Sequence, residues 1–112
     1  MSVLPSRILR NVLREEAFYF FTSIGNYKGE SAASLEEFMN KVREINIKSL
    51  EFHLYREDFE KWVAQTLGDT RLADDIKGVR NLKFVGNALR ERLHSVVSKR
   101  VKELKGGQSG SR

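Results

Sequence analysis

The chain reads as an all-α protein: a single compact domain of four to five helices over residues 1–105, then a disordered Gly/Ser tail at 106–112. Three observations carry that reading. Apolar residues recur at helical spacing along most of the chain, and Ser, Asp or Gly stands at the ends of those segments. Only one short stretch has the composition of a strand. A chain of 112 residues falls within the size of one domain and buries a core without disulfides.

The elements follow in order. "SRILRNVLREE" places Ile8, Leu9, Val12 and Leu13 on one face of a short amphipathic helix, with Pro5 near its start, where proline is tolerated. "AFYFFTSIGNY" contains five β-formers in a row, Phe18 to Thr22. With no second convincing strand to pair with, this run is expected to be helix or an extended segment. "GNYKGES" reads as a loop. "SLEEFMNKVREI" opens with Ser34 and Glu37 at capping-box spacing, and its apolar face is Leu35, Phe38, Met39 and Val42. After the break "NIK", Ser49 is expected to cap a helix that continues through Phe59, Trp62 and Val63 to Leu67. Gly68 stops that helix, and Asp69 caps a short one that ends at Gly78. The last helix spans about Val85 to Leu104. At about 100° per residue its Leu89, Leu93, Val96, Val97 and Leu104 form one stripe, with Val101 at the margin. Arg100 falls inside that stripe, so it must snorkel or pair with a carboxylate from the acidic middle of the chain.

Composition narrows the function classes. There is no cysteine, hence no thiolate nucleophile, disulfide or cysteine metal cage. The opening lacks the apolar core of a secretory signal, and no apolar run approaches the roughly 20 residues that span a bilayer. The expected location is the cytoplasm. Missing cysteine and dense charge are compatible with an intracellular thermophile protein. The net charge of +5 hides a division. Residues 1–14 carry three arginines and no acid, residues 15–75 hold seven basic and thirteen acidic residues, and residues 76–112 hold ten basic and two acidic. Such a split points to polyanion contact by the basic part or to docking on an acidic partner; the plainer reading is a solvated helix face.

"SLEFHLYREDFEKW", residues 49–62, concentrates the polar side chains able to do chemistry. A catalytic reading makes His53 a general base, oriented by Asp58, with Arg56 holding an anion. On one continuous helix, however, His53 and Asp58 lie five apart, about 140° from eclipsed. No nucleophile stands beside a base, and HExxH, glycine-rich phosphate loops and carboxylate clusters at metal spacing are missing from the sequence. His53 and His94 alone make a thin metal site. The favoured reading is a structural polar network of His53, Arg56, Asp58 and Trp62, joined elsewhere by Arg100.

At these residues the chain resembles an archaeal family of short helical proteins catalogued as a domain of unknown function. "FYFFTSIGNYKGESAASLEEF" is one signature; "SLEFH" with "R-x-D-F-x-x-W" is the other. The resemblance covers about residues 17–105. It implies a helical fold and an archaeal origin, no established catalytic residue, and a glycine at the position held here by Glu57. That departure implies a helix that runs more easily through the motif.

The functional expectation is a non-enzymatic basic accessory protein, without cofactor or metal. Its partners would be nucleic acid (DNA or RNA, bound without sequence preference) or a protein of the replication or translation machinery. Arg7, Arg10, Arg14, Arg90, Arg92, Lys99, Lys102 and Lys105 are the candidate contacts. The alternative is a protein-interaction or regulatory module docking on an acidic partner without nucleic acid.

Overall fold

The computed structural model describes residues 4–106; of the tail expected at 106–112, Gly106 ends the last helix and residues 107–112 lie outside the described residues. Among the described residues the order is α1 (Pro5–Ile8), a 3₁₀ turn (Arg14–Glu16), β1 (Phe18–Phe21), β2 (Tyr27–Ala32), α2 (Leu35–Glu44), α3 (Ile47–Tyr55), α4 (Asp58–Lys61), a π-turn (Trp62–Leu67), α5 (Thr70–Asn81) and α6 (Gly86–Gly106). The domain is predominantly helical, as expected, but it is not all-α.

The correction lies in the phenylalanine run. Phe18–Phe21 is a strand, and its partner is the segment read as a loop. Phe18 pairs with Ala32, Tyr19 with Ser31 and Phe20 with Glu30, antiparallel; the register then shifts, and Phe21 meets Tyr27. Gly29 sits in that bulge at φ 81°, a left-handed geometry that glycine adopts at little cost. "YKGESA" lacks strand composition because the hairpin is held by backbone pairing and by one buried face rather than by β-branched side chains. Phe18, Phe20 and Ala32 are buried, while Tyr19 and Phe21 are only partly covered. A two-stranded hairpin is marginal alone. Here β1 packs on α3 and β2 on α2, which supply the apolar surface it lacks.

The helices pack around α6, which contacts α2, α3 and α5. Leu89, Leu93, Val97, Val101 and Leu104 are its buried stripe; Val101 is inside rather than marginal, and Val96 is only half-buried. Ser34 accepts from the Glu37 N–H at 3.1 Å, and the Glu37 carboxylate accepts from the Ala33 N–H at 2.8 Å, a capping box displaced by one residue. The α6 N-terminus is capped from a distance: Gly86 N–H donates to Glu51 of α3 at 2.9 Å.

Three other expectations shift. The first amphipathic helix is only the four residues of α1, because the chain then extends so that Val12 N–H reaches Ala33 O at 2.7 Å. Asn46, not Ser49, caps α3, its side chain accepting from Lys48 N–H at 2.8 Å; Ser49 is fully buried and its hydroxyl has no hydrogen-bond partner among the described residues. Helix α5 runs through Gly78 to Asn81.

Candidate functional site

The motif at 49–62 does not form one helix. Glu57 takes a left-handed conformation, φ 69° and ψ 17°, which ends α3 and starts α4. Non-glycine residues pay for this geometry. The family resemblance placed glycine at this position, and the backbone shows why glycine suits it. The expectation that glutamate lets the helix run on is overturned: the turn is kept in spite of the glutamate.

That turn cancels the helical separation of His53 and Asp58. Nδ1 of His53 lies 2.8 Å from Oδ2 of Asp58, and Arg56 Nε donates to the same oxygen at 3.1 Å. On its other side, His53 Nε2 accepts the backbone N–H of Phe21 at 2.8 Å. These contacts set the tautomer: Nε2 carries the lone pair, and Nδ1 carries the proton and donates it to the carboxylate. His53 is buried, edge-on to Phe18 with ring centres 4.8 Å apart. Burial pushes its pKa below the ordinary histidine value, and the Asp58 hydrogen bond only partly offsets this. The imidazole is a clip between the hairpin and the α3–α4 turn. The lone pair that a general base would use is occupied by a backbone amide.

Around the clip lies an aromatic cluster. Phe18 stands 5.1 Å from Phe59 and 5.0 Å from Phe20, and Phe38 stands 5.1 Å from Phe59. Trp62 packs on Phe18 and Phe38, but its indole N–H donates to Glu16 O at 2.8 Å. It therefore belongs to the same neighbourhood without joining the His53 network. Trp62 also opens the π-turn, a distortion of the kind often found at functional sites.

An open cleft of about 420 Å³ lies over this cluster, between the hairpin and the α3–α4 junction. Phe18, Tyr19, Phe21, Ile24 and Gly25 form one wall; Phe52, His53, Arg56, Asp58, Lys61 and Trp62 form the other. Sequence reasoning missed the hairpin wall and Lys61. The density of aromatics in "FYFF" was the available signal, but the pairing that brings it to residue 53 spans 32 positions.

The basic residues divide into two sets. Arg10 donates to the carbonyls of Arg7 and Thr66, and Arg90 donates to the carbonyl of Ile45, so both guanidinium groups brace the fold. Arg100 pairs with Asp69 through two nitrogens, at 2.8 and 3.2 Å, and reaches Glu103 at 3.3 Å. Asp69 also caps α5 by accepting from Leu72 N–H at 3.1 Å. The carboxylate expected for Arg100 is thus the cap residue next to Gly68. Lys105 bridges Glu36 at 3.0 Å. Arg7, Arg14, Arg92, Lys99 and Lys102 are exposed and make no ion pair among the described residues. Arg92 lies over the Phe84 ring, 5.3 Å from its centre. Among the described residues, no group of three or more His, Asp or Glu could hold a metal, and no helix is long and apolar enough to cross a membrane.

Fold and site together define a small, mostly helical domain with a histidine-clipped hairpin over an aromatic cleft. The chain belongs to the family described as a family of unknown function (DUF5752), whose model matches residues 14–110. No curated protein and no solved structure matches it.

Proposed function

We propose that the protein is a non-enzymatic binding module that contacts a polyanion, DNA or RNA, along the outer face of α6. The observation that carries this reading is the exposed set Arg92, Lys99 and Lys102, on one side of the helix and free of ion pairs among the described residues. At 1.5 Å per residue the three span about 15 Å, a distance over which a nucleic-acid backbone presents several phosphates. Arg7 is exposed on α1, which packs against α6. The occupied lone pair of His53 supports a binding role over proton-transfer chemistry.

The test is affinity for a duplex DNA, a structured RNA and single strands at about 50 and 200 mM salt. The expected result is steep weakening with salt. An Arg92→Glu, Lys99→Glu, Lys102→Glu variant should flatten the logarithmic slope for duplex by nearly 3, since each neutralised phosphate contributes about 0.9. No binding at the lower salt overturns the proposal.

A second reading, docking on an acidic protein, is favoured by one feature. Leu82 and Val85 are exposed beside Phe84 and Arg92, which gives the start of α6 an apolar anchor next to a cation. Binding that is lost in Leu82→Ser, Val85→Ser and unmoved by the charge reversals would select it.

A further inference from the structure

The cleft over the His53 clip is independent of the basic face of α6, and its chemistry is different. We propose that it is a binding site for a small apolar monocarboxylate, an aryl or branched alkyl acid. Three observations converge. The volume of about 420 Å³ sits toward the small end of ligand pockets, enough for a compact molecule. The walls are aromatic: Phe18, Phe21, Phe52 and Trp62 offer ring faces and edges to a hydrocarbon body. The charge is selective. Arg56 commits only its Nε, to Asp58, and Lys61 makes no ion pair among the described residues. With His53 neutral, the ionised groups on the lining are Arg56, Lys61 and Asp58, a net charge of +1. One anionic charge balances that lining; a dianion would meet Asp58 uncompensated.

The guanidinium is also pre-positioned. Its Nε is held by Asp58, and its carbon lies 5.0 Å from the centre of the Phe52 ring, so two terminal nitrogens are left for a carboxylate beside an apolar wall. The His53–Asp58 bond holds the carboxylate that holds the arginine. The clip thus serves the site by positioning Arg56, and the imidazole itself need not touch ligand.

Trp62 is the one tryptophan in the sequence and lies on the cleft wall, so its fluorescence reports occupancy directly. The experiment titrates the full chain with phenylacetate and with 4-methylpentanoate, against phenylacetamide and phenyl phosphate. The expected result is a saturable change in Trp62 emission with either acid. The uncharged amide should bind at least about tenfold more weakly, the usual scale of a lost charge-assisted hydrogen bond, and the phosphate dianion should not bind tighter than the acid. Arg56→Gln and Lys61→Gln, both at exposed positions, should each weaken the acids about tenfold while the amide is unmoved. No saturable change up to about ten millimolar, a concentration that already corresponds to only about 3 kcal/mol of binding, overturns the proposal. So does equal affinity for acid and amide, or a phosphate that binds tighter than the acids.

Discussion

The two halves of this domain are held by different kinds of contact. On the α6 side, one helix supplies Leu89, Leu93, Val97, Val101 and Leu104 at successive turns, and its polar seam is a direct ion pair, Arg100 with Asp69. On the hairpin side, β1 and β2 are short strands laid on α3 and α2. There the hairpin is joined mainly by contacts between side chain and backbone, His53 to Phe21 N–H and Trp62 to Glu16 O, with one part-exposed ion pair, Lys41 to Glu30. The first side is a packed wall with its free cations outside. The second leaves a cleft, because a short bulged hairpin covers an aromatic cluster without filling the space above it. Function is therefore sought on the surface of one half and in the opening of the other.

The sharpest way to break the α6 side is Asp69→Ala. The Asp69 side chain is 1% exposed, pairs with Arg100 and caps α5, so its loss leaves a mostly buried guanidinium with only Glu103, at 3.3 Å, and orphans an N–H. Urea unfolding should show a loss of about 3–4 kcal/mol. The matching change on the hairpin side is His53→Ala, expected to cost about 3 kcal/mol from the cavity and the two lost hydrogen bonds. The two variants should differ in character. In His53→Ala, amide hydrogen exchange should accelerate first at Phe21 and its hairpin neighbours, while α6 amides follow global unfolding. Uniform acceleration would mean that the clip has no local role.

Acid should sharpen the same contrast. The folded pKa of His53 lies below the unfolded value of about 6.5, so the unfolded state takes up more protons once the pH falls under that value. Stability is then complete above about 6.5 and declines as pH drops toward the folded pKa, by at most about 1.4 kcal/mol per pH unit. Protonation also sets an Nε2–H against the Phe21 N–H, so the hairpin opens first. His94, lowered by burial and by Arg43, adds to the decline in the same direction. His53→Phe should flatten the profile only partly, as read from urea midpoints at pH 7.5 and 5.

The smallest expected effect has the opposite sign. Glu57→Gly should raise stability by up to about 1 kcal/mol, because relief of the left-handed strain slightly exceeds the added chain entropy of glycine. An unchanged or lower melting temperature would show that the turn is not strained by glutamate.

How much of this was legible depends on sequence distance. The face of α6, the Ser34 and Asp69 caps and the Gly68 stop follow from neighbours within a turn or two of helix. The partner of Arg100 was foreseeable as an acid from the middle of the chain, though not as Asp69. The hairpin was not legible, because Tyr27–Ala32 has the side chains of a loop and becomes a strand only when the Phe18–Phe21 backbone lies beside it. On one continuous helix His53 and Asp58 would face apart, and they meet because the helix breaks at a single residue. With Glu57 in a left-handed turn, five positions no longer mean opposite faces.

The sequence alone determined the apolar faces of the helices, the Ser34 and Asp69 caps and the separation of a basic end from an acidic middle, since each depends on local periodicity, short-range hydrogen bonds or simple charge counts. Only the tertiary structure decided which cations remain available and where the cleft lies. Arg10 and Arg90 look like Arg92 in sequence. They are withdrawn by carbonyls at Thr66 and Ile45, 56 and 45 positions away. The cleft, likewise, exists between segments 32 residues apart. Such pairings arise when buried polar groups must find partners wherever the packed chain supplies them.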